Sequence, residues 1–305
     1  MAATASLHAL LTCSIDYAGM FPPCSLDFEQ AMKNQAKYVR ADESWMLGAF
    51  VLPIDKFDAV KEMISWFDSQ NPLRVSALGP KTMNATVFSQ AVAKVSAAIG
   101  LLSAFDASVA SVEQLEMFLP EDVVLASLRE TRTALGNLPV FWEAPPDRAE
   151  QTIRLIAEVN SEIEKPNFGF KLRTGGVTAD ALPTSIQIAK VLGSVMTQRV
   201  PIKFTAGLHH PVRQYRDEVK TKMHGFLNVL GAAVLAREHK WEVKQIAAML
   251  EDEEANAFSF GNQSFAWRDW EIDVTRLKQQ RRFVTSFGSC SFDEPREDLR
   301  ALNLL

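Results

Sequence analysis

Short apolar runs alternate with amphipathic stretches along the whole chain, usually with a turn between them. Residues 10–16, 45–53, 74–79, a stretch within 109–117, 140–143, 168–173, 202–208 and 283–288 read as strands. The segments 26–38, 59–67, 87–101, 121–135, 148–163, 181–196, 216–250 and 297–302 read as the helices that follow them. In the longest, Val219, Met223, Phe226, Leu230 and Val234 recur three or four apart, the spacing of a helical stripe. Ser25 and Asp27 stand where a short polar side chain can cap the first helix. Repeated strand–helix units imply parallel strands with helical crossovers, and eight of them predict closure into an α/β (β/α)8 TIM barrel. An open doubly wound sheet is the rival fold, but no glycine-rich dinucleotide fingerprint follows the first strand. The expected organisation is one barrel domain over 1–305, with residues 255–278 inserted before the last strand.

Strand parity then sorts the side chains. On the first strand Thr12, Ser14 and Asp16 share a face opposite Leu11, Cys13 and Ile15. On the sixth, Lys171 and Arg173 oppose Phe168, Phe170 and Leu172; on the seventh, Lys203 and Thr205 oppose Ile202, Phe204 and Ala206. The apolar sets are expected under the helices and the polar sets inside the barrel. Charges there are costly to desolvate unless paired or functional, and Asp16 and Glu143 are the candidate balancing carboxylates. A structural ion-pair layer is the plainer alternative to a reaction centre.

Two lysines at matching places on neighbouring strands disfavour each other's charge, and burial acts in the same direction. One can then serve as an amine nucleophile toward a carbonyl, with a nearby carboxylate moving protons. Lysine pairs also bind phosphates or carboxylates. The segments Lys171-Leu-Arg-Thr-Gly-Gly176 and Pro201-Ile-Lys-Phe-Thr-Ala-Gly207 resemble deoxyribose-phosphate aldolase and related class I aldolases. The likeness implies Lys171 as Schiff-base nucleophile, Lys203 as the neighbour that lowers its pKa, and Thr174, Thr205 and Gly207 as motif partners. Ala206 departs from the glycine usual in that family. The same segments, with 223–228 and 287–292, are also similar to an uncharacterised bacterial family, which implies no activity.

His209 and His210 follow the seventh strand, at the rim where barrel enzymes place their chemistry. Either could act as acid or base, or join Asp16, Glu143 or His224 around a metal, although no HExxH-type spacing supports a metal site. Gly207, Gly288 and Ser289 could cradle an anion through backbone N–H groups, with Arg173 adding a bidentate contact.

A net charge of -5 leaves no basic footprint, so no nucleic-acid partner is expected. No N-terminal signal pattern is apparent, and the apolar run 92–105 is broken by Lys94, Ser96 and Ser103, so no membrane association is expected. Cys13, Cys24 and Cys290 are too few and too scattered for a disulfide framework and fit a cytoplasmic protein; Cys24 and Cys290 read as inert thiols, although barrel closure brings their regions near each other. The leading expectation is a class I aldolase-type lyase or transferase acting on a small carbonyl compound, with phosphate one candidate substituent. It would need no metal or organic cofactor and could form homo-oligomers. The alternatives are a metal-dependent lyase, isomerase or hydrolase using His209 and His210, and a non-catalytic barrel that binds a metabolite or a protein.

Overall fold

The computed structural model describes residues 3–305. Its strands are β1 (Ile15–Tyr17), β2 (Leu47–Pro53), β3 (Leu73–Leu78), β4 (Ala110–Phe118), β5 (Val140–Glu143), β6 (Phe168–Arg173), β7 (Ile202–Thr205), β8 (Gln214–Arg216), β9 (Thr221–Met223), β10 (Phe258–Phe260), β11 (Ser264–Trp267), β12 (Trp270–Asp273) and β13 (Val284–Ser289). Eight of these close a parallel barrel in the order β1-β13-β7-β6-β5-β4-β3-β2. The helices are α1 (Ala5–Leu11), α2 (Phe28–Tyr38), α3 (Ala85–Leu102), α4 (Leu125–Leu135), α5 (Ala149–Asn160), α6 (Ser185–Gln198), α7 (Phe226–His239), α8 (Val243–Glu251), α9 (Val274–Gln280) and α10 (Asp293–Ala301). The TIM-barrel expectation therefore holds.

Strand parity buries the apolar sets. Phe168, Phe170 and Leu172 on β6 and Ile202 and Phe204 on β7 pack outward under the helices. The β2–β3 crossover uses 3-10 turns (Ile54–Glu62 and Ile64–Trp66) where an α-helix is expected over 59–67. Its buried Phe57 and Val60 stand three apart, which suits the threefold period of that helix. α3, with 18 residues and a mean hydropathy of 1.5, is long and apolar enough by composition to cross a membrane, contrary to the expectation that no stretch is. In this fold it forms the β3–β4 crossover and buries Phe88, Ala91, Val92 and Val95.

Two element expectations fail for local reasons. Residues 10–16 are not one strand: Leu7, Leu10 and Leu11 form the buried stripe of α1, and Thr12 ends that helix by bonding back to His8 O at 2.9 Å. Cys13 then turns the chain at φ 49°, so only Ile15–Tyr17 enters the sheet. Residues 216–250 are not one helix either. Their first part is the β8–β9 hairpin, after which α7 starts at Gly225 and ends at the left-handed Lys240. A capping box between Glu242 and Gln245 starts α8. Every residue from Phe226 to Ala236 is buried, so Phe226, Leu230 and Val234 lie on a helix covered on all sides, and Val219 and Met223 precede it. Between α8 and β13, residues 258–273 form the three-stranded meander β10-β11-β12.

One cysteine expectation also changes. Cys24, in the loop between β1 and α2, and Cys290, just after β13, form a disulfide with Cα atoms 5.8 Å apart. Cys13 is the free, exposed thiol. β1 and β13 are direct neighbours in the closed barrel, and this adjacency brings together two residues 266 positions apart.

Candidate active site

Five acidic and basic side chains meet inside the barrel. Lys171 Nζ lies 2.8 Å from Glu116 Oε2 and 2.8 Å from Glu143 Oε2. Lys203 Nζ lies 2.7 Å from Asp16 Oδ2 and bonds Glu116 Oε1. Glu116 thus bridges the two ammonium groups. Around them, Ser76 Oγ donates to Glu116 Oε1 at 2.6 Å, and Ser286 Oγ and Gln114 Nε2 donate to Asp16 Oδ2 at 2.6 and 3.0 Å. The Ala49 N–H donates to Asp16 Oδ1 at 2.8 Å. Both Asp16 oxygens accept hydrogen bonds, and Asp16 anchors Lys203.

Burial opposes the charge on both Lys171 and Glu116. For Lys171, the attraction and hydrogen bonds of Glu116 and Glu143 outweigh burial and hold its pKa above the ordinary lysine value. For Glu116, the two lysines outweigh burial and hold its carboxyl far below the usual range. The expectation that Lys203 lowers the pKa of Lys171 is therefore corrected: the charge of Lys203 is met by Asp16 and Glu116, and resting Lys171 is an ammonium.

A cavity of about 390 Å³ opens above this cluster. Glu116, Glu143 and Lys171 form its floor; Lys203 and Asp16 do not reach it. Arg173, Thr205, Gly207, Gly288 and His209 line it, as do Lys81 after β3 and Phe21, Pro22 and Pro23 from the β1–α2 loop. Among the described residues, neither Lys81 nor Arg173 has a salt-bridge partner; Lys81 Nζ lies 4.9 Å over the Phe118 ring. Three cations and two carboxylates therefore line the cavity, which suits an anionic ligand.

Other candidates lie outside the cavity. Thr174 is fully buried, and its hydroxyl donates to Ala206 O at 2.7 Å, so it ties the loop after β6 to the loop after β7. The neighbouring glycines explain that motif: a Cβ on Gly175 would sit 2.6 Å from the Gly207 Cα, and Gly207 has φ +77°. Thr174 is therefore corrected from substrate contact to loop tie. Ser289 is buried and does not line the cavity. His210 turns away toward α10, with Nδ1 2.6 Å from Asp298. His209 does face the cavity, and its Nδ1 is 3.4 Å from Glu294 on α10. His224 is buried with Nε2 2.9 Å from Pro183 O, and burial pushes its pKa down. Among the described residues, no three His, Cys, Asp or Glu side chains gather as a metal-ligand set.

Glu116 and Lys81 escaped the sequence reading. For Glu116 a signal existed: Gln114 and Glu116 alternate with the buried Leu115 and Met117, the same pattern that exposed Lys171 and Lys203. Lys81 sits in a loop, where parity has no meaning.

No family model matches the chain, and no curated protein matches it in sequence. Among solved structures, a D-psicose 3-epimerase determined in the presence of D-fructose aligns over 88% of this chain and 96% of its own, at 8% identity and a TM-score of 0.43. A dihydrodipicolinate synthase from Thermotoga maritima aligns over 97% of this chain and 100% of its own, at 10% identity and a TM-score of 0.39. Likenesses this distant say nothing of chemistry, and the barrel assignment stands on the strand pairing itself.

Proposed function

We propose that this chain is an enzyme forming a Schiff base between Lys171 and a small anionic carbonyl compound, a lyase or transferase of the class I aldolase type. The observation that carries the reading is the position of Lys171 Nζ on the cavity floor, held between Glu116 and Glu143 at 2.8 Å each. The resemblance of 171–176 and 201–207 to class I aldolases supports it, as do the unpaired Arg173 and Lys81 for an anionic substituent.

The carboxylates suit this chemistry because an ammonium and an iminium carry the same charge. When a carbonyl compound displaces water, the Lys171 ammonium passes a proton to Glu143, the more exposed carboxylate at 22% against 2% for Glu116. The free amine attacks the carbonyl carbon, the oxygen takes up one proton from the attacking nitrogen and one returned by Glu143 and leaves as water, and the iminium regains the lost positive charge. Glu116 then faces a cation at the start and at the end. The iminium accepts the electron pair of the carbon–carbon bond that breaks, Glu143 or His209 moves the accompanying proton, and hydrolysis restores the amine.

Borohydride trapping with a panel of small aldehydes and ketones, followed by peptide mass spectrometry, tests this. The expected result is an adduct on Lys171 that is absent from a folded Lys171→Met variant. A non-catalytic metabolite-binding barrel is the second reading, favoured by the complete pairing of both ammonium groups. Anion-induced stabilisation with no adduct across the panel would select it.

A further inference from the structure

The β1–α2 loop forms one wall of the cavity through Ala18, Phe21, Pro22 and Pro23. Its base is tied by backbone bonds, from Leu26 N to Gly19 O at 2.9 Å and from Ala18 N to Ser289 O at 2.7 Å. Its tip folds on itself through Ser25 N to Phe21 O at 3.0 Å. Between base and tip, the covalent link from this loop to the neighbouring strand end is the Cys24–Cys290 disulfide, and Cys290 itself lines the cavity. The two residues differ in access: Cys24 is exposed, whereas Cys290 is 4% exposed.

We propose that Cys24–Cys290 is a thiol–disulfide exchange site that gates the mouth of the cavity, with a dithiol reductant as its reaction partner. One thiolate of the dithiol attacks the exposed Cys24 sulfur and forms a mixed disulfide, and Cys290 leaves as a thiolate. Lys81 and Arg173, neither of which has a salt-bridge partner among the described residues, line the same cavity as Cys290 and favour the leaving thiolate. The second thiolate of the dithiol attacks the dithiol's own sulfur in the mixed disulfide and releases Cys24. Two electrons pass to the protein, the dithiol becomes a cyclic disulfide, and its two protons end on Cys24 and Cys290. The loop then keeps its backbone ties at the base and loses its cross-link at the tip, so Phe21, Pro22 and Pro23 can swing away from the mouth. The cyclic disulfide form of the same partner, in excess, runs the exchange in reverse, takes the two electrons back and closes the wall again. This inference regulates the site proposed above, but the loop motion does not depend on Lys171 chemistry.

The full-length chain is prepared in air-oxidised form and after treatment with dithiothreitol. Iodoacetamide labelling with mass spectrometry is expected to find one reactive thiol, Cys13, in the oxidised protein and three after reduction. Amide hydrogen exchange over 19–26 is expected to accelerate at least tenfold on reduction, with the barrel strands unchanged. Reductive alkylation of Lys171 by a bulky neutral aldehyde is expected to accelerate at least tenfold, while formaldehyde changes less than twofold. Cys24→Ser and Cys290→Ser should each label at their two remaining thiols and show the exchange and alkylation rates of reduced protein in both buffers. Three reactive thiols in the oxidised preparation, or exchange over 19–26 that ignores the redox state, would overturn the gate. Redox-dependent exchange without any aldehyde adduct on Lys171 would keep the gate and count against the Schiff-base reading.

Discussion

Replacing Glu116 by glutamine should make the protein less stable and Lys171 more reactive. Glu116 is buried and bonds both ammonium groups, accepting also from Ser76. A glutamine keeps the shape but carries one acceptor oxygen, so its amide N–H groups face one of the two lysines. Breaking a buried ion pair in this way costs about 3–5 kcal/mol. With an unfolding entropy of roughly 2.1 cal/mol/K per residue, a chain of 305 residues loses about 5–8 °C in Tm. The functional effect has the opposite sign. Burial pushes the pKa of Lys171 down, and the attraction of Glu116 is the largest contribution holding it up. Without Glu116 the midpoint for amine reactivity should fall, and the adduct rate near neutral pH should rise. The assay is the rate of borohydride-trapped adduct on Lys171 against pH, paired with thermal unfolding. A midpoint that stays or moves upward in the variant would refute the electrostatic account. The same pairing sets the stability profile. The depressed Glu116 contributes stability that is present above about pH 4.3 and lost as pH falls through its folded value. The raised Lys171 contributes stability that is present below about pH 10.4 and lost as pH rises through its folded value. In Glu116→Gln both limbs should flatten.

Arg173→Met and Lys81→Met should each slow trapping of an anionic aldehyde about tenfold, equivalent to roughly 1.4 kcal/mol, and change its neutral analogue less than twofold. Ala206 has φ +60°, a left-handed conformation, so Ala206→Gly should raise stability by about 1 kcal/mol in urea unfolding. Gly207→Ala should lower it by about 2–4 kcal/mol, because the new Cβ would sit 2.8 Å from the Gly175 Cα and the two loops must part. A Gly207→Ala variant of unchanged stability would disprove the close approach of the two loops.

The fold was legible wherever strand parity and helix caps were strong. β5 and β6 begin and end at the residues expected, and Asp27 caps α2 by accepting from Gln30 N at 2.8 Å. Parity also placed Asp16, Lys171 and Lys203 inside the barrel, where they meet. The failures share a cause: local patterns that two structures satisfy equally. Leu10 and Leu11 suit a strand or the end of a helix, and only the turn at Cys13 separates them from Ile15. Val219 and Met223 fit a helical stripe by spacing, although the β8–β9 hairpin takes Met223. Thr174 looked like a substrate contact because its motif does; the proximity of Gly175 and Gly207, a long-range contact, decides its role.

Why Lys171 and not Lys203 meets the cavity follows from the barrel itself. Glu143 pairs in register with Lys171, and Lys171 with Lys203, so the three lie along one hydrogen-bonding row. In a barrel the strands tilt and the register is sheared, so such a row runs obliquely to the axis and its members sit at different depths. The side-chain exposures descend along it, from 22% at Glu143 to 6% at Lys171 and 1% at Lys203. The two lysines are equivalent in sequence pattern and inequivalent in solvent access. Lys203→Met should therefore destabilise the chain by about 3–5 kcal/mol, because it leaves Asp16 and part of Glu116 buried without their cation. Lys171→Met should cost less, since water from the cavity can reach Glu143. Urea unfolding at neutral pH compares them directly, and equal losses would mean that the row does not descend as its exposures indicate.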